Sequence, residues 1–169
     1  GGDYYDVLPV GASPEDDLRE HPLWLVFIAD ASGHGPSAAV VVAMLSTLLR
    51  VRCERATSPA RLLAYLNEHL MERTFGQSFI TAFLGMVNLD DRTFTYSNAG
   101  QNPPLLRDAH GDVTELRGTG DIPLSVRGNW SFSEQRIEIP PQSTLWLYTD
   151  GVVETLSPKG EAFGDARLR

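Results

Sequence analysis

Apolar positions along this chain change rhythm about halfway. Leu23-Trp24-Leu25-Val26-Phe27-Ile28-Ala29 is an unbroken apolar run, of the length expected for a strand buried on both faces. It stops at Asp30-Ala31-Ser32-Gly33-His34-Gly35, a glycine-bearing turn. Pro36-Ser37 then opens a helix, because a proline in the first turn removes no helical hydrogen bond. That helix is expected to reach about residue 52. Val40, Val41, Val42, Met44, Leu45, Leu48 and Leu49 make it apolar nearly all round, which predicts a buried helix. Ser58 before Pro59 starts a second helix with Ser58 as its N-cap. Leu62, Leu63, Leu66 and Leu70 give this one a single apolar stripe.

From residue 79 the period shortens to that of strands. Residues 79–87 read as a strand, Leu89-Asp90-Asp91-Arg92 as a turn, and 93–97 as the hairpin partner. Pro103-Pro104 interrupts the chain before a short strand at 105–107. His110-Gly111-Asp112 turns it into another at 113–116. Two more strands, 132–139 and 144–149, flank Pro140-Pro141. Residues 11–22 are polar and read as a surface loop. One strand, two helices and then a run of strands joined by tight turns predicts an α+β domain of antiparallel sheet with helices outside.

Composition narrows the function classes. A chain of 169 residues with 42% hydrophobic content fits one domain with a substantial core. Its formal charge of -8 disfavours nucleic acid and anionic membrane as partners. The single cysteine, Cys53, allows no internal disulfide and reads as a small buried residue, which fits a reducing cytoplasm. The opening Gly1-Gly2-Asp3 has neither the basic start nor the apolar run of a signal peptide. The longest apolar stretch, 38–49, reads as too short and too interrupted to span a bilayer.

The chemistry gathers at strand ends. Gly1-Gly2-Asp3-Tyr4-Tyr5-Asp6, Asp30, and Asp150 (directly after Leu145-Trp146-Leu147-Tyr148-Thr149) each bring carboxylate to such a position. Carboxylates meeting there would repel and raise one another's pKa. A hard divalent cation removes that cost, and ligands that are all oxygen point to magnesium or manganese rather than zinc. His34 has no second histidine at ligand spacing and reads as structural. Gly33 and Gly35 either admit close backbone approach or make the turn.

In order along the chain, Gly1-Gly2-Asp3-Tyr4-Tyr5-Asp6, Asp30-Ala31-Ser32-Gly33-His34-Gly35, the segment 79–85, Ser97-Asn98-Ala99-Gly100-Gln101-Asn102-Pro103-Pro104 and Tyr148-Thr149-Asp150-Gly151-Val152-Val153-Glu154 resemble the PPM-type metal-dependent protein phosphatases, in the SpoIIE and RsbU branch. Gly160-Glu161-Ala162-Phe163-Gly164 also fits. The resemblance implies a four-layer α-β-β-α sandwich of two antiparallel sheets flanked by helices. It implies two Mn2+ or Mg2+ ions at one edge, with Asp30 bridging both, the Ala31 carbonyl on one and Asp150 on the other. Asp3 would stand beside them, holding a metal-bound water. Asp6 is open between a supporting role and a surface one. The nucleophile implied is a metal-bridging water that attacks phosphoserine or phosphothreonine phosphorus in line, without a covalent enzyme intermediate. Asn98, Gln101 and Asn102 read as caps of a tight turn, with a substrate-side loop as the alternative. Glu154 is open between supporting the site and facing solvent.

The pattern also has departures. The family continues to an Asp-Asp-x-Thr strand that supplies a further ligand, and it usually has a strand before the Gly-Gly-Asp motif. Residues 1–169 therefore read as a single PPM-type domain trimmed at both ends. Ser125 stands where family members often carry glycine. The leading expectation is a cytoplasmic bacterial phosphatase acting on a STAS-type anti-sigma-factor antagonist. No nucleic acid or membrane is expected to contact this domain, and any homodimer is expected through regions outside this chain. The alternatives are a non-catalytic signalling module of the same fold and a hydrolase of small phosphoesters.

Overall fold

The computed structural model describes residues 2–12, 15–18, 20–33, 35–72 and 79–168. Among them, eight strands form two antiparallel sheets. The larger contains β1 (Asp3–Pro9), β2 (Leu23–Ala31), β3 (Ile80–Asn88), β4 (Thr93–Ala99) and β7 (Gln135–Glu138), in the order β1-β2-β3-β4-β7. The smaller contains β5 (Leu105–Arg107), β6 (Val113–Glu115) and β8 (Thr144–Trp146), in the order β6-β5-β8. Four helices accompany them: α1 (Pro36–Cys53), α2 (Pro59–Met71), and the single turns α3 (Asp150–Val153) and α4 (Asp165–Leu168).

The apolar run in β2 follows from its place. It pairs with β1 on one side and β3 on the other, so both faces are covered. Leu25, Phe27, Ala29 and Ala31 are buried in a core cluster that also contains Leu45, Leu49, Leu63 and Leu66 of α1 and α2. Val26 and Ile28 face the other way, into a second cluster of Phe83, Phe94, Tyr96 and Leu116 with Leu106 and Leu145 of the smaller sheet and Leu147 just beyond it. Two cores thus alternate with two sheets, one core under the helices and one between the sheets.

Helix α2 begins as expected. The Ser58 hydroxyl accepts from the Arg61 N–H at 3.2 Å. Glu134 adds a carboxylate there, accepting from the Ser58 hydroxyl at 2.5 Å and the Ala60 N–H at 3.2 Å, where the helix dipole favours negative charge. Leu62, Leu63, Leu66 and Leu70 form the buried stripe.

Helix α1 departs from expectation. Leu45 and Leu49 are fully buried, but Val40 is 59% exposed and Val51 70%. Only Ala38, Leu45, Leu49 and Cys53 are buried along it. The helix is sandwiched from one side alone, touching β1, β2 and α2, and composition cannot tell one covered side from two. By length and composition it is also the one helix among the described residues apolar enough to cross a bilayer. Here its buried stripe is part of the domain core instead.

Two strands are shorter than their apolar patterns suggest. Residues 132–134 are not part of β7, because Asp121 takes both the Ser133 N–H (2.7 Å) and its hydroxyl (2.6 Å) into a loop. Strand β8 ends at Trp146, and three residues separate it from α3.

Candidate functional site

Asp3 opens β1, and Asp30 is the next-to-last residue of β2. The antiparallel register sets them directly opposite each other. Opposed residues share a face, with Cβ atoms about 4.5–5.5 Å apart, so two like charges meet there. By strand alternation this is the face that Val26 and Ile28 turn toward the smaller sheet. Thr81 of β3 stands opposite Asp30 on its other side. Asp3, Asp30 and Thr81 therefore form a row across three strands, at the edge of the inter-sheet core.

Asp150 follows the last strand of the other sheet. It is the first residue of α3, with Thr149 in extended conformation as the N-cap. It is exposed, and its charge acts on Asp30. Burial lifts the Asp30 carboxyl above its ordinary range, and the negative charges of Asp3 and Asp150 lift it further. The three carboxylates named from the sequence thus lie in one electrostatic neighbourhood, on a site that strains to stay ionised.

Gly2 explains how the backbone joins this neighbourhood. The Ala31 N–H donates to the Gly2 carbonyl at 3.0 Å. A Cβ on residue 2 would stand 2.2 Å from the Ala31 carbonyl oxygen and 2.9 Å from Asp30 Oδ1. Only glycine permits that approach. The Ala31 carbonyl and the Asp30 carboxylate consequently border the same small space.

Every donor here is oxygen, the set that hard divalent cations prefer. Among the described residues, no group of three or more His, Cys, Asp or Glu side chains is placed to hold a metal ion as they stand. The arrangement is open: two carboxylates opposed on one sheet, a third in α3 whose charge reaches Asp30, and a backbone carbonyl beside them. His34 lies outside the described residues.

The remaining named residues sort themselves by strand alternation and burial. Asp6 turns to the helix side, where it binds the Tyr4 hydroxyl (2.7 Å) and Arg50 of α1 (2.6 Å), and so fastens β1 to α1. Gly33 and Gly35 have positive φ and nothing near their missing side chains, so they make the turn after β2. Asn98 caps its turn: its Oδ1 accepts from the Gln101 N–H (2.7 Å) and its Nδ2 donates to the Gln101 carbonyl (2.9 Å). Glu154 is exposed and closes α3 through its N–H to the Asp150 carbonyl. Cys53 is buried with its thiol against the Arg50 carbonyl, and burial pushes its pKa up, away from nucleophilic use.

Sequence reasoning missed Thr81. Its hydroxyl lies 3.2 Å from Gln101 Oε1 and 3.5 Å from the Asp30 carbonyl. The signal was present only in the strand register, which brings residue 81 beside residue 30.

Comparison with known proteins agrees with this architecture. The family model described as Stage II sporulation protein E (SpoIIE) matches residues 21–169. The phosphoserine phosphatase RsbP of Bacillus subtilis is 26% identical over 141 residues, covering 81% of this chain and 34% of RsbP. The phosphoserine phosphatase RsbU of the same organism is 25% identical over 136 residues, covering 80% of this chain and 40% of RsbU. The chain therefore spans well under half the length of these relatives. The solved structure of the RsbU and RsbW domains of a Mycobacterium tuberculosis protein superposes with a TM-score of 0.78 at 25% identity, covering 93% of this chain and 41% of that one. With a family model matched over most of its length and the two-sheet sandwich to go with it, this chain belongs to the SpoIIE family of PPM-type phosphatase domains.

Proposed function

We propose that this domain is the catalytic core of a metal-dependent protein phosphatase that hydrolyses phosphoserine or phosphothreonine on a cytoplasmic regulatory protein. The observation that supports the reading is that Asp3 and Asp30 stand opposite each other in the strand register, with the charge of Asp150 acting on Asp30 and the Ala31 carbonyl packed against Gly2. An uncompensated cluster of that kind raises the Asp30 carboxyl, and a divalent cation is the ligand that would relieve it. Asp30, Asp150, Asp3 and the Ala31 carbonyl would hold two Mn2+ or Mg2+ ions. When bound, such ions supply Lewis acidity that activates water and neutralises phosphoryl charge. The chain's own part is to hold the carboxylates rigidly at strand ends and to leave one side of the site open for a phosphorylated side chain. The related RsbP and RsbU are named phosphoserine phosphatases, which supports the reaction class. A STAS-type anti-sigma-factor antagonist is the substrate class we propose.

The test is hydrolysis of a phosphoserine peptide and of a phosphorylated STAS protein by the full-length protein with added Mn2+. Turnover is expected to vanish on chelation and to fall by about 10²-fold or more in Asp30→Ala. Turnover confined to small aryl phosphates would favour a small-phosphoester hydrolase. The open arrangement of the carboxylates favours a second reading, a signalling module without turnover. An inactive full-length protein that still binds its phosphorylated partner would establish that reading instead.

A further inference from the structure

Gln101 is a polar side chain with no evident reason to be buried. It is 6% exposed, in the turn that follows β4. Its Oε1 lies 3.2 Å from the Asn102 backbone nitrogen and 3.2 Å from Thr81 Oγ1. The backbone N–H can only donate, so this end of the amide is the carbonyl and the orientation is fixed. It follows that the Thr81 hydroxyl donates to Gln101. A hydroxyl has one hydrogen, and of the two acceptors in its reach Gln101 Oε1 at 3.2 Å is nearer than the Asp30 backbone carbonyl at 3.5 Å, so Gln101 draws it away from Asp30. The oxygen lone pairs of Thr81 are then left as acceptors, in the row that Asp3 and Asp30 share. Next to an ionised Asp30 that arrangement is repulsive. Next to a cation it is attractive. The other end of the amide, Nε2, is buried and has no acceptor among the described residues. The side chain is therefore kept in place at a cost, which hydrogen bonds elsewhere in its turn do not require: Asn98 already closes that turn through the Gln101 backbone.

We propose that Gln101 is a positioning residue of the acidic site and acts through Thr81. It fixes the hydroxyl rotor, so that Thr81 presents oxygen rather than hydrogen to the space beside Asp30. It also ties β3 to the turn that follows β4. Gln101 itself touches neither the phosphoryl group nor the cation. The inference rests on the cation-binding reading of the site and adds a residue pair to it.

The test uses Mn2+ alone, titrated calorimetrically into the full-length protein, beside thermal melts of each metal-free variant. Thr81→Val removes the hydroxyl and keeps the shape. Thr81→Ser keeps the hydroxyl and loses a methyl. Supporting residues behind metal ligands typically change affinity by about 10–100-fold. Thr81→Val and Gln101→Leu are each expected to weaken Mn2+ binding by about tenfold, and the double variant by little more than either, because they act through one hydrogen bond. Thr81→Ser is expected to bind like the wild type. Unchanged Mn2+ affinity in Thr81→Val, or Thr81→Ser as weak as Thr81→Val, would overturn the inference while leaving the metal site standing. A lowered melting temperature with wild-type Mn2+ affinity would reduce Gln101 to a packing residue. A wild-type protein that takes up no Mn2+ would sink the metal reading itself, and this inference with it.

Discussion

At the level of single residues, the site is held together against its own charge. The Asp30 carboxyl is raised by burial first and by Asp3 and Asp150 second. A carboxyl whose pKa is higher folded than unfolded binds its proton more tightly in the fold. Its favourable contribution is complete below its ordinary value of 3.8 and is lost as pH rises through the raised folded value. Near neutral pH the metal-free protein therefore carries a charge it would be more stable without. Asp30→Asn is expected to melt higher than the wild type at pH 7 without metal, with the advantage disappearing in acid, and to lose the stabilisation that Mn2+ gives. Melting curves across pH, with and without Mn2+, check all three. A variant that melts lower than the wild type at pH 7 would contradict the repulsion argument. Ser125 shows a different strain. Its φ is +66°, a left-handed conformation that costs a non-glycine residue about 1–2 kcal/mol, and its hydroxyl is buried without a partner. Its N–H is held by Asn67 at 2.8 Å, which fixes the loop in that conformation. Ser125→Gly should stabilise by about 1 kcal/mol after the greater flexibility of glycine in the unfolded chain is counted. The melting temperature would rise by about 2–4 °C. The serine was visible in the sequence as a departure from a glycine pattern. Its conformation agrees with the reason glycine suits the position.

At the level of elements, legibility followed locality. The start of α2 is a pattern of adjacent residues, Ser58 and Pro59, and its geometry can be read off them. The three-residue strand β5 falls where Pro103-Pro104 and the turn at 110–112 leave room for it. What sequence could not supply was contributed from far away in the chain. Glu134 reaches α2 from 76 residues beyond Ser58. The exposed side of α1 is set by which elements happen to lie against it, so an all-round apolar composition misleads. In the sequence, strand β1 shows as a carboxylate-bearing segment, since Asp3 and Asp6 mask its alternation: Tyr4, Asp6 and Leu8 face α1 while Asp3, Tyr5 and Val7 face away. At this scale Ser58→Ala should cost about 1 kcal/mol. The loss should be smaller in a protein that already carries Glu134→Gln, since the two residues share the cap. Denaturant melts of the two single variants and the double variant measure that coupling. Strict additivity would show that Glu134 and Ser58 serve α2 independently.

Across the whole molecule, the site exists because two sheets are held face to face. Asp3 and Asp30 belong to one sheet, and Asp150 follows the last strand of the other. The core between them is built on Phe83, Phe94 and Tyr96, with ring centroids 5.5 Å apart for Phe83–Tyr96 and 5.6 Å for Phe94–Tyr96. Gly85 makes room for it, as a Cβ there would stand 2.2 Å from the Phe94 ring. The strands of this core were readable from their alternation, but their division into two sheets came from family resemblance, because strand pairing between distant segments, such as Leu23 with Asn88, leaves no local trace. The architecture makes the joint between sheets a functional element. Phe94→Leu should destabilise the fold by less than the roughly 3–5 kcal/mol of a Phe→Ala truncation, and should also let the smaller sheet shift relative to the larger. Leu66→Ala, in the other core beneath the helices, should destabilise by about 2–5 kcal/mol without touching that joint. Measured on folded protein well below the melting transition, Mn2+ affinity is therefore expected to fall in Phe94→Leu and to stay near wild type in Leu66→Ala, whatever the order of their melting temperatures. Equal loss of affinity in both would mean that binding tracks overall stability. Loss in neither would mean that Asp150 keeps its place by some means other than the core between the sheets.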